Sequence, residues 1–209
     1  IEAYLEPGEY RAAVTEEGQN TTIDSYQLSV TATSLADRVD GYEPDNTAAA
    51  ARPLTPNAAA QEHTIHTPQD VDWYTFNVGV ASRATLDVAG AAGNVMLRLY
   101  GPTDSSRLIS YDYGGADIAG SLARIVAFVQ PGTYWASVQE YYGRNTIDEY
   151  SIHLAVVPQS DLQDSYEQDN TAATARSIPM DGTPQAHNIH QPADVDWVHF
   201  TLTAASRVT

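Results

Sequence analysis

The sequence predicts an all-β chain built of tandem antiparallel β-sandwich modules, and three observations carry that prediction. The first is a long internal repeat. Tyr42-Glu43-Pro44-Asp45-Asn46-Thr47, running on to Asp70-Val71-Asp72-Trp73, returns 124 residues later as Tyr166-Glu167-Gln168-Asp169-Asn170-Thr171 and Asp194-Val195-Asp196-Trp197. The same interval relates Ile1–Tyr10 to Ile125–Tyr134, so the period is a whole domain rather than a solenoid turn. The second is two-residue alternation of apolar and polar side chains. The third is Pro and Gly punctuation between the alternating runs.

Taken in order, 72–78 (DWYTFNV) alternates with Tyr74, Phe76 and Val78 on one face and Trp73, Thr75 and Asn77 on the other. Segments 83–88, 95–100 and 107–111 alternate likewise, whereas 122–129 (LARIVAFV) is more continuously apolar and reads as a strand covered on both faces. Segments 132–138 and 150–156 complete the set. Turns are marked at Gly90 with Gly93-Asn94, Gly101-Pro102, Gly114-Gly115 and Pro131-Gly132, the last repeated at Pro7-Gly8. Strands this short, at intervals of about 8–12 residues, fit a sandwich. Asn46-Thr47 before Ala48–Ala51, and Asn170-Thr171 before Ala172-Ala173, each suit one capped helical turn. Segments 53–61 and 179–186 read as polar loops.

The repeat sets the domain organisation. Residues 37–160 form a complete module, 1–36 match the C-terminal part of a preceding one, and 161–209 match the N-terminal part of a following one. A window cut from a longer array explains this better than complementation between chain ends, which would lack the counterparts of residues 86–124.

Charge narrows the function. Asp and Glu number 27 against 10 basic residues, all Arg, for a net charge of −17. That excess repels nucleic acid and anionic membrane surfaces and favours divalent cations. Cysteine is absent, so thiolate metal sites and disulfides are excluded. No apolar run approaches the ~18 residues that span a bilayer, and membrane insertion is not expected.

The acidic clusters are the candidate site. Glu43, Asp45 and Asn46 lie within four residues, and Asp70 and Asp72 stand two apart where a strand begins, on one face. Glu167, Asp169, Asn170, Asp194 and Asp196 repeat the set. Carboxylates with an amide suit a hard cation that takes six to eight oxygens, which predicts Ca²⁺; helix capping and turn formation are the plainer roles for Asp45, Asn46 and Asp70. His63 and His66, repeated as His187 and His190, are three apart and face opposite sides of a strand, so neither pair chelates one ion and a structural role is expected. Asp112 and Asp117 flank the Gly114-Gly115 loop, where a solvated turn is expected over a second cation.

The Tyr-Glu-Pro-Asp-Asn-Thr run, the Asp-Val-Asp-Trp with Phe76 after it, and the late Pro-Gly-Thr-Tyr together resemble the bacterial pre-peptidase C-terminal domain, a family that includes the collagen-binding domains of clostridial collagenases. The resemblance spans 37–160 and both partial copies. It implies a jelly-roll-like sandwich, exported, often tandem and often calcium-stabilised near its N-terminal linker. It places the calcium ligands on Glu43, Asp45, Asn46, Asp70 and Asp72. A further acidic ligand of the collagen-binding members would fall on Gly41, with Asp40 beside it, and the Asp45-Asn46 order is swapped.

Thirteen tyrosines, with Tyr111, Tyr113, Tyr134, Tyr141, Tyr142 and Trp135 late in the module, offer a binding face, about half of it core by alternation. Nucleophilic catalysis has no GxSxG elbow, no Cys and no recognisable Ser-His-Asp order to stand on. The sequence thus predicts a non-enzymatic, extracellular, calcium-stabilised array of cell-surface or filament modules, partnered by neighbouring copies of itself. The alternative is a targeting module that carries a secreted hydrolase to collagen, other matrix protein or polysaccharide.

Overall fold

The computed structural model describes residues 3–5, 7–90, 94–114 and 123–209. The chain divides into two compact units, Ile1–Thr33 and Ser34–Thr209. The second holds two facing sheets. One has five strands in the order β1-β3-β8-β5-β6, the other four in the order β2-β9-β4-β7. Their ranges are β1 Arg52–Pro53, β2 Gln61–Ile65, β3 Val71–Val78, β4 Ser82–Gly90, β5 Val95–Tyr100, β6 Leu108–Tyr113, β7 Ala123–Val129, β8 Gly132–Glu140 and β9 Ile147–Pro158.

Alternation builds the core as the sequence predicts. Tyr74, Phe76 and Val78 of β3 face Leu86 and Val88 of β4, with Leu97, Leu99, Ala136, Val138, Ile152 and Leu154 filling the space between sheets. Each fully buried aliphatic side chain stabilises the sandwich by about 1.5–3 kcal/mol. Pairing within the sheets is antiparallel except at β1, whose two residues run parallel to β3.

Several local expectations are corrected. Strand β7 is an edge strand, not a doubly covered one: Val126 is 53% exposed and Phe128 39%, because β7 pairs with β4 alone and its outer face meets no layer. The stretch read as a loop from residue 53 to 61 instead opens with β1 and ends in β2. The turn at Ala48–Ala50 forms as a 3-10 turn. Its counterpart after Thr171 is a single hydrogen-bonded turn, with Thr174 N donating to the Thr171 carbonyl at 2.9 Å and Thr174 Oγ1 donating to the same carbonyl at 3.1 Å. Linker residues Leu35–Arg38 and Gln159–Asp161 are also 3-10 turns. Leu122, Gly93, Gly115 and Asp117 lie outside the described residues.

Downstream, β10 (Arg176–Ser177) and β11 (Val198–His199) pair in parallel, Arg176 opposite Val198, as Arg52 is opposite Tyr74 in β1 and β3. Trp197, Val198 and Phe200 stay 41–46% exposed there. In the unit Ile1–Thr33 the described residues form no strand, although their repeat equivalents are β7 to β9. In the module those equivalents are held by pairing to β2, β3, β4 and β5.

Candidate metal centre

Strand β3 brings two aspartates to the rim of the sandwich. Asp72 continues the inward stripe of Tyr74, Phe76 and Val78, so its carboxylate is 1% exposed, and Asp70, two residues earlier, is 2% exposed. The loop from Asp40 to Thr47 lies against them. Asp40 Oδ1 accepts from Tyr42 N and its Oδ2 from Thr64 N, both at 2.8 Å, which ties the linker to β2. Asn46 Oδ1 accepts from Val71 N at 2.9 Å, and the Asp45 carbonyl accepts from Trp73 N at 3.1 Å, which ties it to β3. The Arg52 guanidinium donates to the Tyr42 and Pro44 carbonyls and fixes the curve of the loop.

The result is a set of linked triads. Asp40, His63 and Asp72 offer donor atoms all within 4.8 Å of one another, as do Glu43, His66 and Asp70, and also Glu43, Asp45 and Asp72. The third triad shares a carboxylate with each of the others. Of the five residues that the sequence singles out in this copy, the four carboxylates Glu43, Asp45, Asp70 and Asp72 converge in these triads, joined by Asp40. Asn46 is exposed and its side-chain oxygen is already engaged as a clip on Val71 N.

The second copy reproduces the arrangement: Asp164, His187 and Asp196 form one triad, and Glu167, His190 and Asp194 another. Most of its scaffolding bonds match, the second carbonyl gripped by the arginine shifting by one residue. Asp164 accepts from Tyr166 N and Asn188 N, Asn170 Oδ1 accepts from Val195 N, and Arg176 donates to the Tyr166 and Glu167 carbonyls. Even a substitution keeps its bond. Thr64 donates its hydroxyl to the Arg38 carbonyl, and Asn188 in its place donates its amide to the Leu162 carbonyl.

Buried polar groups are ordinarily hydrogen-bonded, and here they are not. Glu43 Oε1, Asp45 Oδ1, Asp70 Oδ1, Asp72 Oδ1 and the Nδ1 atoms of His63 and His66 are buried with no hydrogen-bond partner among the described residues. In the second copy the same holds for Glu167 Oε1 and Oε2, Asp169 Oδ1 and Oδ2, Asp194 Oδ1, Asp196 Oδ1 and the Nδ1 atoms of His187 and His190. Leaving such groups unsatisfied is costly, and more so when charged. A cation fits this donor set, since one ion would satisfy several of these atoms at once and offset their mutual repulsion.

Electrostatics agrees. Burial, reinforced by Glu43, Asp40 and Asp70, pushes the Asp45 carboxyl up to about 7. Burial pushes Asp72 up to about 9, although the hydrogen bond from the Tyr150 hydroxyl pulls it the other way. Glu43 is raised by burial and then by Asp70, and Glu167 by burial and then by Asp194. Burial holds His63 down to about 4, against the pull of Asp40, so its ring is neutral at pH 7.

These shifts fix a pH dependence. The folded chain without metal keeps protons on Asp45 and Asp72 that the unfolded chain releases near 3.8. That contribution is lost as pH rises toward the folded values. His63 works oppositely between about 4 and its ordinary 6.5, where only the unfolded chain is protonated. With a chelator present, the melting temperature should therefore fall between pH 6.5 and 9, and saturating calcium should abolish the fall. A melting curve flat over that range in chelator would contradict the burial of these carboxyls.

On the outer face of the five-stranded sheet, Trp73 stacks on Tyr100 at 5.1 Å, with Trp135 opposite Thr75 beside them. Tyr111 and Tyr113 of β6 are 57% and 56% exposed and stack at 6.3 Å, and Tyr113 meets Tyr141 at 5.2 Å. Of the six late aromatics only Tyr134 is core, fewer than the half that alternation predicts, because Tyr111 and Tyr113 lie on the outer face of β6 and Tyr141 and Tyr142 follow the end of β8; Tyr74 and Tyr150 are the other buried tyrosines.

Sequence reasoning missed Asp40 and Asp164 as full members and placed the histidines outside the site. His63 and His66 belong to different triads, as expected, but His66 lies just past the end of β2 rather than on its opposite face. Each joins a carboxylate that arrives from a distant segment.

No family model and no curated protein matches the chain. Among solved structures it is similar to the pre-peptidase C-terminal domain of a collagenase from Bacillus anthracis, at 17% identity, 50% of this chain, 95% of that one and a TM-score of 0.41. It is also similar to the PliG periplasmic inhibitors of g-type lysozyme from Aeromonas hydrophila and Salmonella Typhimurium. Both are 14% identical, with 50% and 51% of this chain and 94% and 96% of theirs covered, at TM-scores of 0.41 and 0.36. The first of these is a domain of the family that the sequence resembles. Among the described residues no helix is long and apolar enough to cross a membrane.

Proposed function

We propose that the chain is a non-catalytic, calcium-stabilised tandem β-sandwich repeat of a secreted surface protein or filament, acting as a structural or adhesive array with neighbouring copies of the same repeat. The observation that carries this reading is the duplicated set of buried, unpartnered carboxylate oxygens, at equivalent positions in both copies. Calcium in the triad Glu43, Asp45 and Asp72, and in its counterpart around Glu167, Asp169 and Asp196, would bind linker and strand oxygens together. Where one module passes into the next, Gln159 N already donates to the Ala81 carbonyl at 2.9 Å, so the second centre begins on a segment docked to the sandwich. An ion at that point would stiffen the passage. Small-angle scattering of the full chain should then show a narrower distribution of lengths with calcium than with EDTA. Identical distributions would remove the stiffening.

The aromatic row on the five-stranded sheet favours a second reading, a module that targets a secreted hydrolase to matrix protein or polysaccharide. Flat, exposed rings grip collagen chains and sugar faces. Under that reading, replacing Tyr111 and Tyr113 together with Ala should weaken binding to a collagen or polysaccharide surface by about tenfold or more while leaving melting unchanged. Undiminished retention would count against it.

A further inference from the structure

The histidines give the centre a chemistry that calcium does not use. We propose that the two triads flanking the calcium position, Asp40–His63–Asp72 and Glu43–His66–Asp70, bind a transition-metal dication of the zinc class through imidazole Nδ1, and that Asp164–His187–Asp196 and Glu167–His190–Asp194 do the same. Zinc and its neighbours take imidazole and carboxylate readily, whereas calcium prefers oxygen alone.

Three observations carry this. The first is burial without a partner. His63 is 1% exposed and His190 6%, yet their Nδ1 atoms make no hydrogen bond among the described residues. The second is geometry. His66 Nδ1 lies 2.6 Å from Asp70 Oδ2 and 3.2 Å from Glu43 Oε1. His190 Nδ1 lies 2.6 Å from Asp194 Oδ2 and 2.8 Å from Glu167 Oε1. At such distances a proton shared along the axis would make a hydrogen bond, and none is made. Donors that close but off axis are arranged to share a cation. Asp70 Oδ2 and Asp194 Oδ2 are moreover already engaged by the backbone N–H of His66 and His190.

The third is the support behind the rings. His63 Nε2 lies 3.3 Å from Gln61 Oε1, and His187 Nε2 lies 3.2 Å from Gln185 Oε1. A glutamine oxygen there accepts the Nε2 proton, which leaves the Nδ1 lone pair bare and the ring oriented, the usual second partner of a metal-bound histidine. Tyr42 stacks on His63 at 4.2 Å, and Tyr166 on His187 at 4.3 Å, so each ring is held in plane. Helix capping or turn formation requires none of these features, yet both copies carry them.

Each flanking triad shares one carboxylate with the calcium triad, Asp72 or Glu43, but its imidazole and its other carboxylate are its own, so this inference does not depend on calcium in the centre. The test uses Co²⁺ as a visible probe on the metal-free full chain. Expected are ligand-field bands distinct from the aquo ion, displaced by Zn²⁺ and resistant to excess Ca²⁺. A chain carrying His66→Gln and His190→Gln should lose part of that spectrum yet keep its calcium-dependent melting shift. As a control on folding, Gln61→Ala with Gln185→Ala gives a second arm. It removes no ligand and should weaken cobalt affinity by about 10–100-fold. A wild-type spectrum equal to aquo cobalt, or bands unmoved in both sets of variants, overturns the proposal. Cobalt binding without any calcium effect on melting would leave it standing and count against the calcium reading alone.

Discussion

Chelation should lower the melting temperature of this chain by about 10 °C or more, and calcium should restore it. An ion present at 100 to 1,000 times its dissociation constant stabilises the folded form by about 2.7–4.1 kcal/mol. For a domain of this size each kcal/mol moves melting by about 4 °C. The effect should exceed that of an ordinary surface site because removing the ion leaves carboxylate oxygens of Glu43, Asp45, Asp70 and Asp72 buried together without partners among the described residues. Differential scanning calorimetry in EDTA and in calcium decides the matter, and coincident curves would dispose of the calcium reading.

The second large effect separates the ion from the sandwich. Asp72→Asn should reduce calcium affinity of the first centre by about tenfold to 100-fold, while melting in EDTA at neutral pH stays within about 2 °C of the parent. Without metal, the Asp72 carboxyl is pushed up to about 9 and is already neutral at pH 7, so an amide of the same shape replaces like with like. The new side-chain oxygen can accept from the Tyr150 hydroxyl, which in turn meets the Tyr74 hydroxyl at 2.5 Å. Asp72→Ala behaves differently, since it leaves one hydroxyl proton of the buried Tyr74–Tyr150 pair without an acceptor, at a cost of about 1–3 kcal/mol with or without metal. Calorimetry paired with calcium titration reads both quantities. An Asn variant that melts far lower in EDTA would make Asp72 a structural carboxylate first.

Much of the fold was legible because alternation is local. The stripe from Asp72 to Val78 announced both a strand and its buried face, and the repeat announced that the acidic residues belong together. What escaped was set by distant neighbours. Strand β2 reads as polar, QEHTI, yet His63 and Ile65 face the core, and the histidine earns its place there only because Asp40 and Asp72 reach it. Asp40 comes from 24 residues upstream through its bond to Thr64 N, a pairing no period in the sequence encodes. The apolar run of β7 could not disclose its edge position, since an apolar outer face looks the same whether another layer covers it or not.

The Arg52 and Arg176 clamps bear on timing. Each guanidinium grips main-chain carbonyls of its ligand loop, and Asp40, Asn46 and their counterparts pin the same loops by backbone amides. The loop therefore has its shape before any ion arrives. On the proposed reading, capture would require shedding of the ion's water but no folding of the peptide, so association would be fast and release would be set by affinity. Such a joint would follow the cation concentration of its surroundings, firm in a calcium-rich medium and slack once the ion is released.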